Sequence, residues 1–375
     1  MEKQLPPVKR TIQDLVPYPP GKPIDELTRE YGIREVVKLA SNENPLGPSP
    51  KAVLAIQREL AQLHRYPDGS GYYLKQALSE RLSVEASRIF LGNGSNEIIE
   101  LALKTFMTPG DEVLSPFPSF LMYTKAVQAL AGRNHLVPLA GFTVDLKGLL
   151  KGIGPRTRIV IVNNPNNPTG TVVNRKDWEY FIKRVPPAVL ILLDEAYIDF
   201  VEDPDCPVGT DYLEKHKNLL VVRTFSKAYG LAGLRIGYGL TSPELADYLN
   251  RVRQPFNVNS LALAGALGAL EDESFYQRTR RLILKGRKKL EVELQRLGLR
   301  VVPSQTNFIL IEVPLEAQSL YENMLRQGVI IRSMKSFGLD RFIRVNVGLP
   351  SENTKFLRAL RLSLKIAGYA PDYHH

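Results

Sequence analysis

The stretch VLILLDEAY at residues 189–197 is a run of apolar residues that ends directly in two carboxylates. Two further runs of the same kind are IVIV at 159–162 and LLVV at 219–222. Continuous rather than alternating apolarity is typical of strands that are covered on both faces. We therefore expect an α/β fold with a mostly parallel sheet covered by helices, and functional residues beyond the carboxyl ends of its strands.

The sequence on either side of these runs predicts two domains. Residues 46–258 alternate short β-rich runs with helical stretches, and we expect them to form the large domain. Beyond them, a long helical stretch at 275–297 precedes short strands and a final amphipathic helix near 352–367. We expect residues 259–375, together with the N-terminal arm at 1–45, to form a smaller α+β domain.

The composition excludes several classes of protein. The chain has 375 residues, of which 44% are hydrophobic and 23% charged, as in ordinary globular proteins. The net charge is +10, but the densest basic cluster, Arg278 to Lys289, lies on a predicted amphipathic helix without a nucleic-acid-binding motif. Cys206 is the only cysteine, which excludes an internal disulfide and a thiolate metal cage. No run has the length of a membrane span and no signal peptide is visible, so we expect a cytoplasmic protein without nucleic-acid, membrane or metal partners.

Polar residues follow four of the predicted strands at the point where each strand ends. Asp194 and its neighbours follow the first run, and TFSK at 224–227, NNPNNPTG at 163–170 and GNGSNE at 92–97 follow three others. Each motif alone is explained by turn or cap chemistry. Because the carboxyl ends of parallel strands lie at one edge of a sheet, the four together predict a single site.

The residue types at this edge suit a phosphate and a ring. A helix that opens with a Gly-rich turn offers backbone N–H groups to an anion, and the missing third glycine favours a mononucleotide-sized phosphate over a dinucleotide. The candidate phosphate ligands are Gly94, Ser95, Asn96, Thr224, Ser226 and Arg235. A buried Asp194 would need a cationic partner, and a nucleophilic Lys227 would need a lowered pKa.

Three motifs carry a resemblance to a known family. Asn-Pro-Thr-Gly at 167–170, Asp-Glu-Ala-Tyr at 194–197 and Ser-Lys-x-x-Gly-Leu-x-Gly-x-Arg at 226–235 occur in the order and spacing of the fold type I pyridoxal-phosphate aminotransferases. The similarity covers nearly the whole chain, from Pro17 to Gly348, and is greatest to the histidinol-phosphate aminotransferases. It implies pyridoxal 5′-phosphate as the cofactor. It also implies amino transfer from L-histidinol phosphate to 2-oxoglutarate, which gives imidazole acetol phosphate and L-glutamate in histidine biosynthesis.

The same resemblance implies roles for the residues around the cofactor ring. Lys227 is similar to the lysine that binds the cofactor covalently and later moves the α-proton. Asp194 is similar to the carboxylate that keeps the ring nitrogen protonated, while Asn167 and Tyr197 match partners of the ring 3-oxygen. Phe120 lies where the family stacks an aromatic side chain on the ring, although many members have tyrosine there.

The resemblance also implies a substrate site and a partner subunit. Arg344 is similar to the arginine that binds the substrate carboxylate. Tyr18 and Arg332 match positions that hold the substrate phosphate, and Asn44 is a further candidate near the entrance. Tyr66 matches a tyrosine that reaches the cofactor phosphate of the neighbouring subunit, which implies a homodimer with shared active sites.

Three alternative functions remain open at this point. An aromatic amino-acid aminotransferase or a threonine-phosphate decarboxylase can share these motifs. A transcription regulator with an aminotransferase-like domain is disfavoured, because only residues 1–45 precede the predicted core and no DNA-binding module is visible there.

Overall fold

A computed structural model describes residues 6–18, 21–33 and 35–369. Residues 1–5 and 19–20 of the predicted N-terminal arm lie outside the described residues, as do residue 34 and the C-terminal 370–375. The helices are α1 (Arg10–Gln13), α2 (Ile24–Tyr31), α3 (Pro50–Glu59), α4 (Tyr72–Leu82), α5 (Ser95–Phe106), α6 (Met122–Ala129), α7 (Leu146–Gly152), α8 (Arg175–Ile182), α9 (Pro243–Val252), α10 (Ser260–Leu270), α11 (Glu273–Arg296), α12 (Ala317–Leu325) and α13 (Pro350–Ile366). The strands are β1 (Val37–Lys38), β2 (Ile89–Gly92), β3 (Glu112–Phe117), β4 (Arg133–Pro138), β5 (Thr157–Asn163), β6 (Leu190–Asp194), β7 (Leu219–Thr224), β8 (Gly237–Leu240), β9 (Arg300–Val302), β10 (Phe308–Glu312), β11 (Val329–Ile330), β12 (Arg332–Ser333) and β13 (Phe342–Asn346).

The large sheet follows from the continuous apolar runs of the sequence. Among the described residues it has seven strands in the order β2-β8-β7-β6-β5-β3-β4, and β8 alone runs antiparallel to its neighbours. Every residue of β6 and β7 is buried, because helices cover both faces of the sheet. The expected α/β fold with a mostly parallel sheet is confirmed.

Proline and serine mark where two helices of this domain begin. Ser49 precedes Pro50 at the start of α3, and its side chain accepts a hydrogen bond from the Ala52 N–H. Ser242 and Pro243 repeat the arrangement at the start of α9. Serine satisfies an N–H that the first turn leaves without an intrahelical partner, and proline there has no N–H to satisfy.

A second set of strands lies outside this sheet. Strands β12, β13, β10 and β9 form an antiparallel sheet, and β1 of the N-terminal arm pairs in parallel with β11. Helix α10, which the sequence analysis assigned to the smaller domain, packs instead on α3: a Cβ at Gly268 would lie 2.6 Å from the carbonyl oxygen of Lys51. We therefore propose that the domain boundary lies at α11 rather than at residue 258.

Two further observations concern classes of site that the composition disfavoured. In the described part of the chain, no helix has the length and apolarity needed to cross a membrane. Cys206 is buried, its sulfur accepts a hydrogen bond from Asn164 Nδ2 at 3.4 Å, and desolvation raises the pKa of its thiol to about 12. A thiol in that state is inert as a nucleophile.

Candidate functional site

The strand register brings the four polar motifs together at one edge of the large sheet. Asn163 at the end of β5 lies opposite Asp194 at the end of β6. Thr224 at the end of β7 lies opposite Gly237, which in turn lies opposite Gly92 at the end of β2. Because β8 runs antiparallel, its first residue, Gly237, rather than its last lies at this edge, and Arg235 lies two residues before it.

A cradle for an anion lies at the beginning of α5. Gly94 precedes the helix with a φ of 80°, a left-handed conformation that glycine adopts without strain. A Cβ at Gly94 would lie 2.6 Å from an Arg235 guanidinium nitrogen, and a Cβ at Gly237 would lie 2.6 Å from the Ser95 backbone nitrogen. The two glycines therefore keep the guanidinium and the first N–H groups of α5, which lack intrahelical acceptors, open to a shared ligand. This donor set suits a phosphate.

The loop after β7 continues from this cradle to Lys227. Thr224 Oγ1 accepts a hydrogen bond from the Ser226 N–H at 3.0 Å, which fixes the turn that leads to the lysine. Lys227 Nζ donates to the Ser41 carbonyl at 3.3 Å and lies 5.6 Å from the ring centroid of Tyr197. Desolvation and the positive charge of Arg344 lower the pKa of Lys227 to about 8. About a tenth of the amine is then unprotonated at pH 7, far more than for an ordinary lysine.

Asp194 is buried, and both of its oxygens accept hydrogen bonds. Oδ1 accepts from the Ala196 N–H at 3.0 Å, and Oδ2 accepts from the Tyr123 hydroxyl at 2.6 Å. Desolvation raises the pKa of Asp194 to about 6, and the hydrogen bond from Tyr123 opposes that rise. A buried carboxylate of this kind is stabilised by a cation beside it, for which a protonated ring nitrogen is suited.

Tyr197 and Asn167 connect this edge of the sheet to the N-terminal arm and to β13. Asn42 Nδ2 donates to the Tyr197 hydroxyl at 2.9 Å, and desolvation raises the pKa of Tyr197 to about 12. Asn167 Oδ1 accepts from Arg344 at 2.5 Å, and the same guanidinium donates to the Ala40 carbonyl at 2.8 Å. Tyr197 therefore remains a protonated donor at neutral pH, and Arg344 is held by the loop after β5 and by the N-terminal arm.

Two arginines oppose each other across β12 and β13. Arg332 is the direct register partner of Arg344, and its guanidinium carbon lies 5.5 Å from the ring centroid of Tyr18. Desolvation lowers the pKa of Arg344, and the charge of Arg332 lowers it further. Among the described residues, Arg344 Nε has no hydrogen-bond partner. Like charges at directly opposed positions destabilise a sheet, so the pair favours the binding of an anion.

The three remaining predicted residues differ in their surroundings. Tyr66 is 82% exposed and stacks on Phe256 at 4.7 Å between ring centroids. Phe120 lies edge-on to Tyr123, with centroids 5.5 Å apart and rings at 85°. Asn44 Nδ2 donates to the carbonyl of Ala228 and Asn44 Oδ1 accepts from the Leu46 N–H, so both ends of the amide have protein partners. These contacts fix the chain beside Lys227, and the substrate role expected for Asn44 stays a prediction.

Sequence analysis missed two residues that contact the site directly. Tyr123 lies three positions after Phe120, and Asn42 lies two positions before Asn44. Both therefore stand next to residues that the sequence did predict for the site. Asn42 has a φ of 55°, a conformation that asparagine tolerates better than most residues. The sequence itself offered only an asparagine in a Pro-rich loop, which does not indicate the contact with Tyr197.

Comparison with known proteins extends these observations. Residues 34–360 match the family described as aminotransferase class I and II. The chain is 51% identical over 351 residues to histidinol-phosphate aminotransferase 2 of Pseudomonas fluorescens, which covers 93% of this chain and 95% of that protein. It is 50% identical over 351 residues to histidinol-phosphate aminotransferase 2 of Pseudomonas aeruginosa, with the same coverage of 93% and 95%. A solved structure of Sinorhizobium meliloti histidinol-phosphate aminotransferase, in complex with pyridoxal-5′-phosphate, matches with a TM-score of 0.88 and 26% identity, covering 98% of this chain and 100% of that one.

Proposed function

The chain belongs to the class I and II aminotransferases, and on that premise we propose that it transfers the amino group of L-histidinol phosphate to 2-oxoglutarate with pyridoxal 5′-phosphate as cofactor. The products are imidazole acetol phosphate and L-glutamate, in the pathway of histidine biosynthesis. The two Pseudomonas relatives bear the name of this activity, which favours it over the aromatic and decarboxylase alternatives.

The residues present fit the cofactor. The cradle formed by Gly94, Ser95 and Arg235 suits its phosphate, with Asn96, Thr224 and Ser226 as further ligands. The partly buried amine of Lys227 suits its aldehyde carbon, and the buried carboxylate of Asp194 suits its ring nitrogen. We further propose that Phe120 covers one face of the ring.

The chemistry divides among three side chains. When bound, the cofactor supplies an electron sink for the electrons of the broken C–H bond. Lys227 Nζ, whose lowered pKa leaves part of it unprotonated near neutral pH, accepts the proton from the substrate carbon and returns it. Asp194 holds a proton at the ring nitrogen, and the protonated Tyr197 hydroxyl donates to the ring 3-oxygen. Asn167 contributes its amide N–H₂ there, because its oxygen already accepts from Arg344.

The opposed arginines carry the assignment of the substrate. Histidinol phosphate has a phosphate ester and no carboxylate at the reacting carbon, whereas 2-oxoglutarate has two carboxylates. One site must accept both kinds of anion in turn. Arg344, Arg332 and the Tyr18 hydroxyl supply two guanidinium groups and a donor within one cluster, and guanidinium binds either anion through paired N–H groups.

Replacement of Arg332 by alanine tests this assignment. Loss of a charge-assisted bond to a desolvated phosphate costs about 1.5–3 kcal/mol, or roughly tenfold to a hundredfold. We expect kcat/KM for histidinol phosphate to fall by that factor and kcat/KM for phenylalanine to fall less. Arg326→Ala is the control, because this exposed arginine follows directly after α12 and donates to Asn323 in the last turn of that helix. If Arg332→Ala turns over histidinol phosphate normally and the wild type prefers phenylalanine, the protein is an aromatic aminotransferase instead.

We also propose a homodimer in which Tyr66 serves the partner's cofactor phosphate. Support comes from the surface around Tyr66, where Leu60, Leu63 and Tyr73 are 50%, 55% and 71% exposed. Apolar side chains exposed together in this way mark interaction surfaces. We place the enzyme in the cytoplasm, because its phosphorylated and dicarboxylate substrates do not cross a bilayer unaided.

A further inference from the structure

We propose that Tyr123 is a positioning residue for this reaction, whose hydroxyl fixes the orientation and the charge state of the Asp194 carboxylate. The inference rests on the proposed function, in which Asp194 holds a proton at the ring nitrogen. The first turn of α6 would then position the carboxylate that binds the cofactor, in addition to packing against the sheet.

The geometry leaves the carboxylate one orientation. Tyr123 is 1% exposed, and its hydroxyl reaches from α6 to the end of β6 to contact Asp194 Oδ2 at 2.6 Å. The other oxygen accepts from the Ala196 N–H at 3.0 Å. Rotation of the carboxylate about its last bond would break both hydrogen bonds inside a buried site, and each loss would leave a polar group without a partner.

The hydroxyl also selects the ionised form of Asp194. Desolvation and the charge of Asp194 raise the pKa of Tyr123 well above its ordinary value, so the hydroxyl is a donor throughout the working pH range. A donor at this distance stabilises the carboxylate more than the neutral acid. Desolvation alone would raise the pKa of Asp194 further and leave it neutral at higher pH. Only the anion attracts a proton to the ring nitrogen.

The competing explanation is that Tyr123 only fills space. Its ring belongs to the apolar cluster beneath the sheet and contacts the Phe120 ring edge-on. Tyr123→Phe keeps that ring and removes the hydroxyl, and Asp194→Asn keeps the side-chain shape and removes the charge. A double-mutant cycle of the two therefore separates the hydrogen bond from the packing.

The first measurement is made on the cofactor-loaded enzyme and on its reconstitution. For Tyr123→Phe we expect the Kd for pyridoxal 5′-phosphate to rise and the rate of α-proton removal to fall, each by about tenfold to a hundredfold, the range for a bond to a charged group. In the Asp194→Asn background the same change should cost about fivefold, because a bond between neutral groups contributes about 1 kcal/mol. Tyr212→Phe, at a buried tyrosine that packs on Trp178, is the matched control and should change neither quantity.

The second measurement needs no cofactor. The pKa of Asp194 is about 6 in the folded protein, above its unfolded value, so its contribution to stability is present at low pH and is lost as the pH rises to about 6. Tyr123→Phe raises the folded pKa further. Glu195 and Lys227, the other titratable groups beside Asp194, are common to both proteins. The variant apoprotein should therefore lose more stability than the wild type as the pH rises above 6, and Asp194→Asn should abolish that difference.

The outcomes distinguish a failure of the role of Tyr123 from a failure of the proposed role of Asp194. Equal effects of Tyr123→Phe in both backgrounds, or a pH profile of stability that matches the wild type, would show that Tyr123 acts by packing alone. If Asp194→Asn itself leaves cofactor binding and proton removal unchanged, the proposed role of Asp194 fails first. If Tyr123→Phe does not fold, 3,5-difluorotyrosine at position 123 provides a stronger donor, and the pKa of Asp194 should then fall.

Discussion

Replacing Arg223 with methionine removes one half of a buried ion pair that joins the ends of β6 and β7. Arg223 Nε and a terminal guanidinium nitrogen both lie 2.8 Å from Glu195 Oε2. The side chains of Glu195 and Arg223 are 0% and 10% exposed. Glu195 directly follows Asp194 and Arg223 directly precedes Thr224, so the pair ties together the two strand ends that lead into the proposed site.

The magnitude follows from what the substitution leaves behind. Methionine is similar in length to arginine and fills most of the space. It leaves the buried Glu195 carboxylate without its cation, while the Gly209 N–H still donates to Oε1 at 2.6 Å. Breaking a buried pair by removing one member costs about 3–5 kcal/mol, because the remaining charge is uncompensated. We expect the free energy of unfolding to fall by that amount at pH 8.

The loss of stability in Arg223→Met should depend on pH in a characteristic way. Desolvation raises the pKa of Glu195 even in the wild type, and the charge of Arg223 is the largest effect that opposes the rise. In Arg223→Met the folded pKa moves further above the unfolded value. The native state then binds a proton that the unfolded state releases, so stability is retained at low pH and lost as the pH rises through the folded value. The variant should therefore be closer to the wild type at pH 5 than at pH 8.

Denaturant unfolding at pH 5 and pH 8 measures both effects. The control is Arg251→Met, which removes an ion pair with Asp247 whose side chains are 67% and 58% exposed. An exposed pair contributes about 0.2–1 kcal/mol, so the control should lose little at either pH. If Arg223→Met loses no more than Arg251→Met, or loses the same amount at both pH values, the Glu195–Arg223 pair does not hold the strand ends as argued.

Three further outcomes are expected. Lys227→Ala should lose transamination by several orders of magnitude, and borohydride should couple the cofactor of the wild type to Lys227; a label on another lysine would contradict the assignment. Mixing Tyr66→Phe with Lys227→Ala chains should restore some activity, since each hybrid dimer has one intact site; exchange of subunits without recovery would exclude the shared site. Gly94→Ala should weaken cofactor binding at least about tenfold because its Cβ displaces the Arg235 guanidinium. Gly110→Ala is the control for backbone strain, because Gly110 has a φ of 90° and no atom within 4 Å of the added Cβ.

The sequence predicts those strands of the sheet that consist of buried apolar side chains. It does not predict β8, in which glycines take the place of such side chains. The run at 189–193 overlaps β6 (Leu190–Asp194), and the helical stretch at 275–297 overlaps α11 (Glu273–Arg296), because hydrophobic continuity and helical periodicity are local properties. Strand β8 reads GYGL and has no such signal, since glycine has low β-propensity. Glycine is required there by residues that are distant in sequence, because a Cβ at Gly239 would lie 3.1 Å from a Leu220 methyl carbon. The pattern of a strand's sequence indicates which of its faces are apolar, but it does not indicate which atoms of other elements pack against them.

The same limit applied within the site. Motif order predicted Asp194 and Tyr197, but the hydroxyl that holds Asp194 comes from 71 residues earlier, and the amide that contacts Tyr197 comes from 155 residues earlier. Neither Tyr123 nor Asn42 has a local signature of that contact, because the contact exists only once α6 and the N-terminal arm pack against the sheet edge. For this reason Asn42, two positions before Asn44, was not predicted.

The arginines show why proximity in a site does not make residues equivalent. Arg344 donates to Asn167, which we propose for the cofactor ring, and to the carbonyl of Ala40 in the arm. Substitution of Arg344 would therefore disturb the ring, the arm and the substrate together, and a loss of activity could not be assigned to one of them. Arg332 faces Arg344 in the register but contacts the Tyr18 ring. We therefore expect substitution of Arg332 to alter anion recognition while the contacts of Arg344 with Asn167 and Ala40 stay in place.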